Sequence, residues 1–120
     1  MAQILIIDDE ALFRTMLREV LEGEGYHVLE AANGLKSLKI QSETPSDLIV
    51  MDILMPEMEG LETIMEFRRR WPDTKIVAIS GGSKKIDFDI LDVAKRLGAT
   101  DTLQKPFSLA QILKSIRKSL

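Results

Sequence analysis

Four short runs of apolar residues, each ending in polar residues, constrain the fold of this chain more than any other feature. The runs cover residues 4–7, 48–51, 76–79 and, more weakly, 102–103. They are nearly continuous rather than alternating, which is typical of strands buried on both faces by helices. Segments with helical spacing lie between them, and residues 28–29 are a fifth strand candidate. This order predicts an α/β fold with a parallel sheet and right-handed crossovers.

The helical segments are recognised by apolar residues spaced three and four positions apart. The first stripe runs from Leu12 to Leu21 and ends at Gly23. The last helix has the clearest start, because Ser108 and Gln111 have the spacing of a capping box. Its buried face is predicted to consist of Leu109, Ile112, Leu113, Ile116 and Leu120.

Composition places the chain among ordinary globular domains and excludes several classes. Its 120 residues predict one domain over residues 1–120, with 45% hydrophobic and 29% charged residues. A net charge of -3 does not favour nucleic-acid binding, and the absence of cysteine excludes disulfides and thiolate metal sites. No apolar stretch is long enough for a membrane span, and the N-terminus does not resemble a signal peptide. We therefore expect a soluble, cytoplasmic protein with no membrane partner.

The polar residues that follow the apolar runs are the candidate functional residues. Asp8 and Asp9 follow the first run, Asp52 the second, Ser80 the third, and Lys105 the last. In a parallel sheet these ends emerge at one edge, where open α/β folds bind their ligands. Taken alone, an acidic triplet such as Asp8-Asp9-Glu10 is more often a solvated turn, and a single lysine is more often a surface residue. Their joint occurrence favours one site.

Electrostatics indicates what such a site binds. Two carboxylates about 5 Å apart repel by roughly 3 kcal/mol at an effective dielectric of 20, so the cluster either raises a pKa or captures a cation. Oxygen ligands favour magnesium, calcium or manganese, and Mg2+ above all, since it combines few carboxylates with water and phosphate oxygens. Asp52 is then a candidate nucleophile toward phosphorus, with Lys105 neutralising charge and Ser80 donating a hydrogen bond.

Together these motifs resemble the receiver domain of response regulators in two-component signalling. The matching residues are Asp8-Asp9, the segment 52–60, Ser80, and Lys105-Pro106-Phe107. Spacings of 43, 28 and 25 residues separate Asp9, Asp52, Ser80 and Lys105. The resemblance covers essentially the whole chain. It implies a flavodoxin-like (βα)5 fold, a doubly wound five-stranded parallel sheet of order 2-1-3-4-5.

The resemblance also implies roles for individual residues. Asp52 would accept a phosphoryl group from a phosphohistidine on a sensor histidine kinase or a histidine phosphotransfer protein. Asp9 would bind magnesium directly, Asp8 mostly through water, and the Leu54 carbonyl would be a further ligand. Lys105 would contact the phosphoryl group, and its bond to Pro106 would be cis. Ser80 would move toward the phosphate. Such a protein signals rather than turning over a substrate, although it supports its own slow dephosphorylation.

Two departures from the family pattern concern the switch. Receivers usually carry Tyr or Phe three residues before the lysine, where this chain has Thr102. Coupling between hydroxyl and aromatic therefore cannot work in its usual form. The glycine-rich segment 81–88 is predicted to reorder instead, reshaping a face made of helix 4, strand 5 and helix 5 for a downstream protein partner.

Three alternatives compete with a stand-alone receiver. A magnesium-dependent phosphatase with an aspartate nucleophile typically needs a second aspartate two residues later, where this chain has Leu54. A degenerate receiver would lack one of the site residues, and all are present. A receiver excised from a larger regulator would have the same sequence, although the start at Met1 favours a natural N-terminus.

Overall fold

The computed structural model describes residues 1–53, 59–81 and 84–120, excluding the side chains of residues 84–89. Strands and helices alternate along these ranges. They are β1 (Gln3–Ile7), α1 (Ala11–Gly23), β2 (His27–Ala31), α2 (Gly34–Glu43), β3 (Leu48–Asp52), α3 (Glu59–Arg70), β4 (Lys75–Ser80), α4 (Lys84–Leu97), β5 (Asp101–Gln104) and α5 (Leu109–Ser119).

The five strands form one sheet in the order β2-β1-β3-β4-β5, and every pair is parallel. This confirms the predicted fold class and strand order. Ile7 of β1 pairs with Met51 of β3, which brings the residues after them, Asp8 and Asp52, to the same edge. That edge, where the strands reach their carboxyl ends, is called the carboxyl edge below.

The core is divided by the sheet into two layers, because successive strand residues point to opposite faces. Ile4 and Ile6 lie in the layer that contains α1 and α5, whereas Leu5 and Ile7 lie in the other. The second layer contains buried residues of α3 and α4: Leu61, Ile64, Phe67, Leu91 and Ala94. Burial on both faces explains why the strands are almost continuously apolar.

Some residues assigned to buried helix faces are exposed. Leu12 is 86% exposed and Leu109 is 48% exposed, and each lies in the first turn of its helix. Leu120 and Met65 are also exposed. A stripe of apolar residues predicts the mean direction of the buried face, but it does not show where along the helix the sheet ends. By contrast, the capping box at Ser108 and Gln111 is confirmed.

No helix in the described ranges is both long and apolar enough to cross a membrane.

Arg68 ties three segments together through their backbone carbonyls. Its guanidinium donates to the carbonyl oxygens of Gly98 at 2.9 Å, Pro72 at 2.8 Å and Thr74 at 2.5 Å. Gly98 has φ +120, and a Cβ there would lie 2.7 Å from the Arg68 side chain. Burial lowers the pKa of Arg68 from its usual value. Arg68 therefore holds the end of α3 to the turn before β4 and to the residue that follows α4.

Replacing Arg68 should destabilise the fold, since three carbonyls lose a charged donor. We expect Arg68→Met to reduce the free energy of unfolding by about 2 kcal/mol, because hydrogen bonds to charged groups are stronger than neutral ones. Arg69→Met is the matched control, because Arg69 is exposed and pairs with Glu66 on the surface of the same helix. Urea unfolding of both variants measures the difference. Equal, small losses would contradict the role given to Arg68.

Candidate functional site

The structure places four of the predicted site residues where strands reach the carboxyl edge. Asp8 directly follows β1, and its N–H donates to the Ala31 carbonyl at 3.1 Å. Asp52 and Ser80 are the last residues of β3 and β4. Lys105 follows β5, and its N–H donates to the Ser80 carbonyl at 2.7 Å. The backbone of the sheet therefore fixes where each side chain starts.

Asp8 is a buried carboxylate with one unsatisfied oxygen. Only 1% of the residue is exposed. Its Oδ1 accepts from the Glu10 N–H at 2.8 Å, whereas the buried Oδ2 has no hydrogen-bond partner among the residues that the structure describes. Burial, together with the charges of Asp52 and Asp9, raises the pKa of Asp8 to about 6, against the opposing effects of the Glu10 N–H and Lys105. A buried carboxylate of this kind is stabilised by binding either a cation or a proton.

Asp52 and Lys105 form an ion pair at the centre of the edge. The Lys105 Nζ lies 3.3 Å from the Asp52 Oδ2, and their side chains are 31% and 13% exposed. The ammonium also lies 4.7 Å from the centroid of the Phe13 ring, a cation–π contact. The Lys105-Pro106 bond is cis, as predicted. The pair places a positive charge beside the proposed acceptor.

The residues fit a magnesium ion through the aspartates that follow β1. Asp9, the next residue along the chain, is exposed, and Asp8 has an unsatisfied oxygen among the described residues. Among the side chains that the structure describes, those of residues 1–53, 59–81 and 90–120, no three of His, Cys, Asp or Glu converge closely enough to hold a metal. Magnesium does not require such a cluster, since one or two carboxylates and several waters suffice. Leu54, whose carbonyl is a predicted ligand, lies outside the described residues.

Gly81 gives Lys105 the space to reach Asp52. A Cβ at Gly81 would lie 2.8 Å from Cδ and 2.9 Å from Cβ of Lys105, so any other residue would displace the lysine stem. Ser80, directly before it, is fully buried. The sequence interpretation used Gly81 only as movable backbone. The rest of the predicted switch segment, apart from the backbone of α4, falls outside the described residues.

Glu59 is a residue near the site that sequence reasoning missed. Its Oε1 accepts from the Gly34 N–H at 2.6 Å, at the first residue of α2, while its own position is the first of α3. A Cβ on Gly34 would lie 2.0 Å from the Thr63 Oγ1, so the two helix starts are in close contact. Nothing local in the sequence predicts a cap supplied from 25 residues away.

Comparison with known proteins finds relatives and a similar fold over nearly the whole chain. The family model for the response regulator receiver domain matches residues 4–117. A chemotaxis protein CheY of Listeria monocytogenes is 33% identical over 121 residues, covering 99% of this chain and 98% of its own. Sporulation initiation phosphotransferase F of Bacillus subtilis is 31% identical, covering 98% and 93%. The structure of Vibrio cholerae CheY4 superposes with a TM-score of 0.89 at 30% identity, covering 100% and 99%.

The raised pKa of Asp8 predicts an unusual dependence of stability on pH. Its value of about 6 exceeds the ordinary 3.8, so between these the metal-free folded state binds more protons than the unfolded state. By linkage, the folded state gains stability from its tighter binding of the Asp8 proton, and this gain is lost as the pH rises through that window. Magnesium should restore stability most above pH 6, where Asp8 is ionised.

Urea unfolding at several pH values, in chelator and in magnesium, measures both effects. Asp8→Asn is the control, because the amide keeps an acceptor for the Glu10 N–H but does not titrate. We expect its metal-free stability to fall less than that of the parent across the window. Parallel profiles for the two proteins would mean that Asp8 does not titrate as described.

Proposed function

The chain belongs to the response regulator receiver domain family, and on this premise we propose that it is a phosphoacceptor whose acceptor is Asp52. The observation that carries the proposal is the Lys105 ammonium 3.3 Å from the Asp52 carboxylate, beside the unsatisfied oxygen of Asp8. The donor would be a phosphohistidine on a sensor histidine kinase or a histidine phosphotransfer protein. The chain would act in the cytoplasm.

The transfer forms a bond between an Asp52 oxygen and phosphorus and breaks the bond from phosphorus to the histidine nitrogen. The imidazole leaves with the electron pair of that bond, and an acyl phosphate remains on Asp52. Lys105 already faces the attacked carboxylate, and we expect it to follow the negative charge onto the phosphoryl oxygens. Ser80 would donate its hydroxyl hydrogen to one of these oxygens.

Magnesium, when bound, would neutralise charge on the phosphoryl group. Asp8 and Asp9 would hold it, together with Asp52 and the Leu54 carbonyl. The chain's own contribution would be to keep the carboxylates of Asp8 and Asp52 at one edge before the ion arrives. We propose that the domain signals through the phosphorylated state, and that the slow loss of the phosphoryl group is its only turnover.

The acceptor is tested with acetyl phosphate as a small-molecule donor. The parent should gain one phosphoryl group in the presence of magnesium, detected by intact mass and lost on treatment with base. Asp52→Asn should gain none, because an amide oxygen is a poor nucleophile.

Asp47→Asn is a matched control, since Asp47 lies before β3 at the opposite end of the strand from Asp52. It should be labelled as the parent is. Labelling of Asp52→Asn, or labelling of the parent in excess chelator, would contradict the proposal.

We further propose that phosphorylation changes the face formed by α4, β5 and α5, and that a protein partner binds there rather than nucleic acid or a membrane. Thr102 lies half-buried in β5, where an aromatic residue is usual. A cavity of about 320 Å³ lies beside it, lined by Leu91, Asp92, Lys95, Thr102 and Gln104. None of the described residues that line this cavity is aromatic, and we expect the change in the backbone that links Ser80 to α4.

Hydrogen exchange with and without a beryllofluoride mimic measures this change. We expect altered protection in residues 81–91, because inward movement of the Ser80 hydroxyl must be accommodated by the backbone that follows it. The same experiment on Ser80→Ala is the control, and the change should shrink there. Altered protection confined to α1 and its neighbouring loops would show that the domain signals through another face.

A further inference from the structure

Arg14 of α1 binds the backbone of Asp8 directly. Its Nη1 donates to the Asp8 carbonyl oxygen at 2.6 Å, and its Nε donates to Glu30 Oε1 at 3.1 Å. The Arg14 side chain is only 17% exposed, and that of Glu30 is 24% exposed. One guanidinium therefore joins the end of β1 to β2 beside the carboxyl edge.

This contact involves Asp8, the buried carboxylate of the site. Asp8 has its own N–H bound to Ala31 and its Oδ1 bound to the Glu10 N–H, while Oδ2 is unsatisfied. The Arg14 bond fixes the remaining polar group of this residue, the carbonyl. With three of its four polar atoms bound, Asp8 has little freedom to turn its unsatisfied oxygen away from the edge.

We propose that Arg14 is a positioning residue for the magnesium and phosphorylation site, acting through the peptide between Asp8 and Asp9. The inference rests on the proposed function, because it takes these two aspartates as the metal-binding residues. Arg14 itself contacts neither the ion nor the phosphoryl group. It holds the peptide that carries both carboxylates, so that the ion does not have to order it.

Glu30 makes this arrangement compatible with a cation site. A guanidinium close to the aspartates would repel magnesium if no negative charge lay beside it. Glu30 accepts from Arg14, and it also accepts from Arg18 at 2.9 Å. Hydrogen bonding from Arg18, assisted by Arg14, lowers the pKa of Glu30 against the effect of burial. The planar fork of arginine presents donors to a carbonyl and a carboxylate in a fixed geometry, whereas the donors of lysine sit on one flexible ammonium.

Arg18 provides the matched control. It pairs with the same Glu30 from the next turn of α1, and it makes a further pair with Glu22, but it has no contact with Asp8 in the structure. A purely structural role for the Arg14–Glu30 pair would make the two arginines equivalent. A positioning role requires that they differ in magnesium affinity.

The experiment measures magnesium binding by calorimetry and the rate of phosphorylation by acetyl phosphate for the parent, Arg14→Met and Arg18→Met. Methionine keeps the apolar stem of the side chain and removes the donors. We expect Arg14→Met to bind magnesium about tenfold more weakly, as loss of outer-shell support typically does. Its phosphorylation at subsaturating magnesium should slow in proportion and recover at saturating magnesium. Arg18→Met should match the parent in both.

Arg14→Lys keeps the charge and loses the fork, and it should fall between the parent and Arg14→Met. It also serves as the test variant if Arg14→Met does not fold. Parent-like magnesium affinity in the Arg14 variants, or equal losses in Arg14→Met and Arg18→Met, would overturn the inference. Failure of the proposed function would look different, since the parent itself would then bind no magnesium or gain no phosphoryl group.

Discussion

Repulsion between carboxylates at the carboxyl edge is the constraint to which the site is adapted. Two carboxylates about 5 Å apart repel by roughly 3 kcal/mol at an effective dielectric of 20, and burial of Asp8 adds to that cost. The Lys105 ammonium beside Asp52 offsets part of it. Its reach depends in turn on Gly81, where no Cβ obstructs the lysine stem. Lys105 does not offset the whole negative charge, and Asp8 keeps an oxygen with no hydrogen-bond partner among the described residues. Both features favour the binding of a dication.

The sheet makes this concentration of charge unavoidable. Because β1 lies next to β3, and Ile7 pairs with Met51, Asp8 and Asp52 follow in neighbouring positions. Helices cover both faces, with α1 and α5 in one layer and the other helices in the second. The interior between these layers is therefore apolar, and the ends of β1 and β3 are where the carboxylates of Asp8 and Asp52 come together. A doubly wound sheet thus provides the site, while the identity of five or six residues provides its chemistry.

The sequence was informative where a physical cause is local. Continuous apolar runs predicted the strands, the spacing of Ser108 and Gln111 predicted the cap of α5, and the polar residues after the runs predicted the candidate site. Strand order came from the resemblance to receivers, since no local pattern specifies which strands pair. Apolar spacing also misassigned Leu12, because helical periodicity contains no information about where the sheet ends. Glu59 and Arg68 were not predicted because they bind backbone groups 25 and 30 residues away. Arg14 binds a carbonyl only six residues away, but this contact depends on how α1 packs beside the end of β1, which no local pattern specifies.

These three residues have a common physical role that bears on function. Each is a charged side chain that satisfies backbone groups near the end of a strand or helix, where the ladder of hydrogen bonds stops. Arg14 binds the carbonyl of Asp8, which is a proposed metal ligand. Ordering a loop costs about 1–2 kcal/mol per residue in backbone entropy. If the segment is already ordered in the folded protein, binding of the ion does not have to order it, and the affinity for the ion is higher. A side chain that binds the backbone, as Arg14 does, can then raise the affinity for the ion without contacting it.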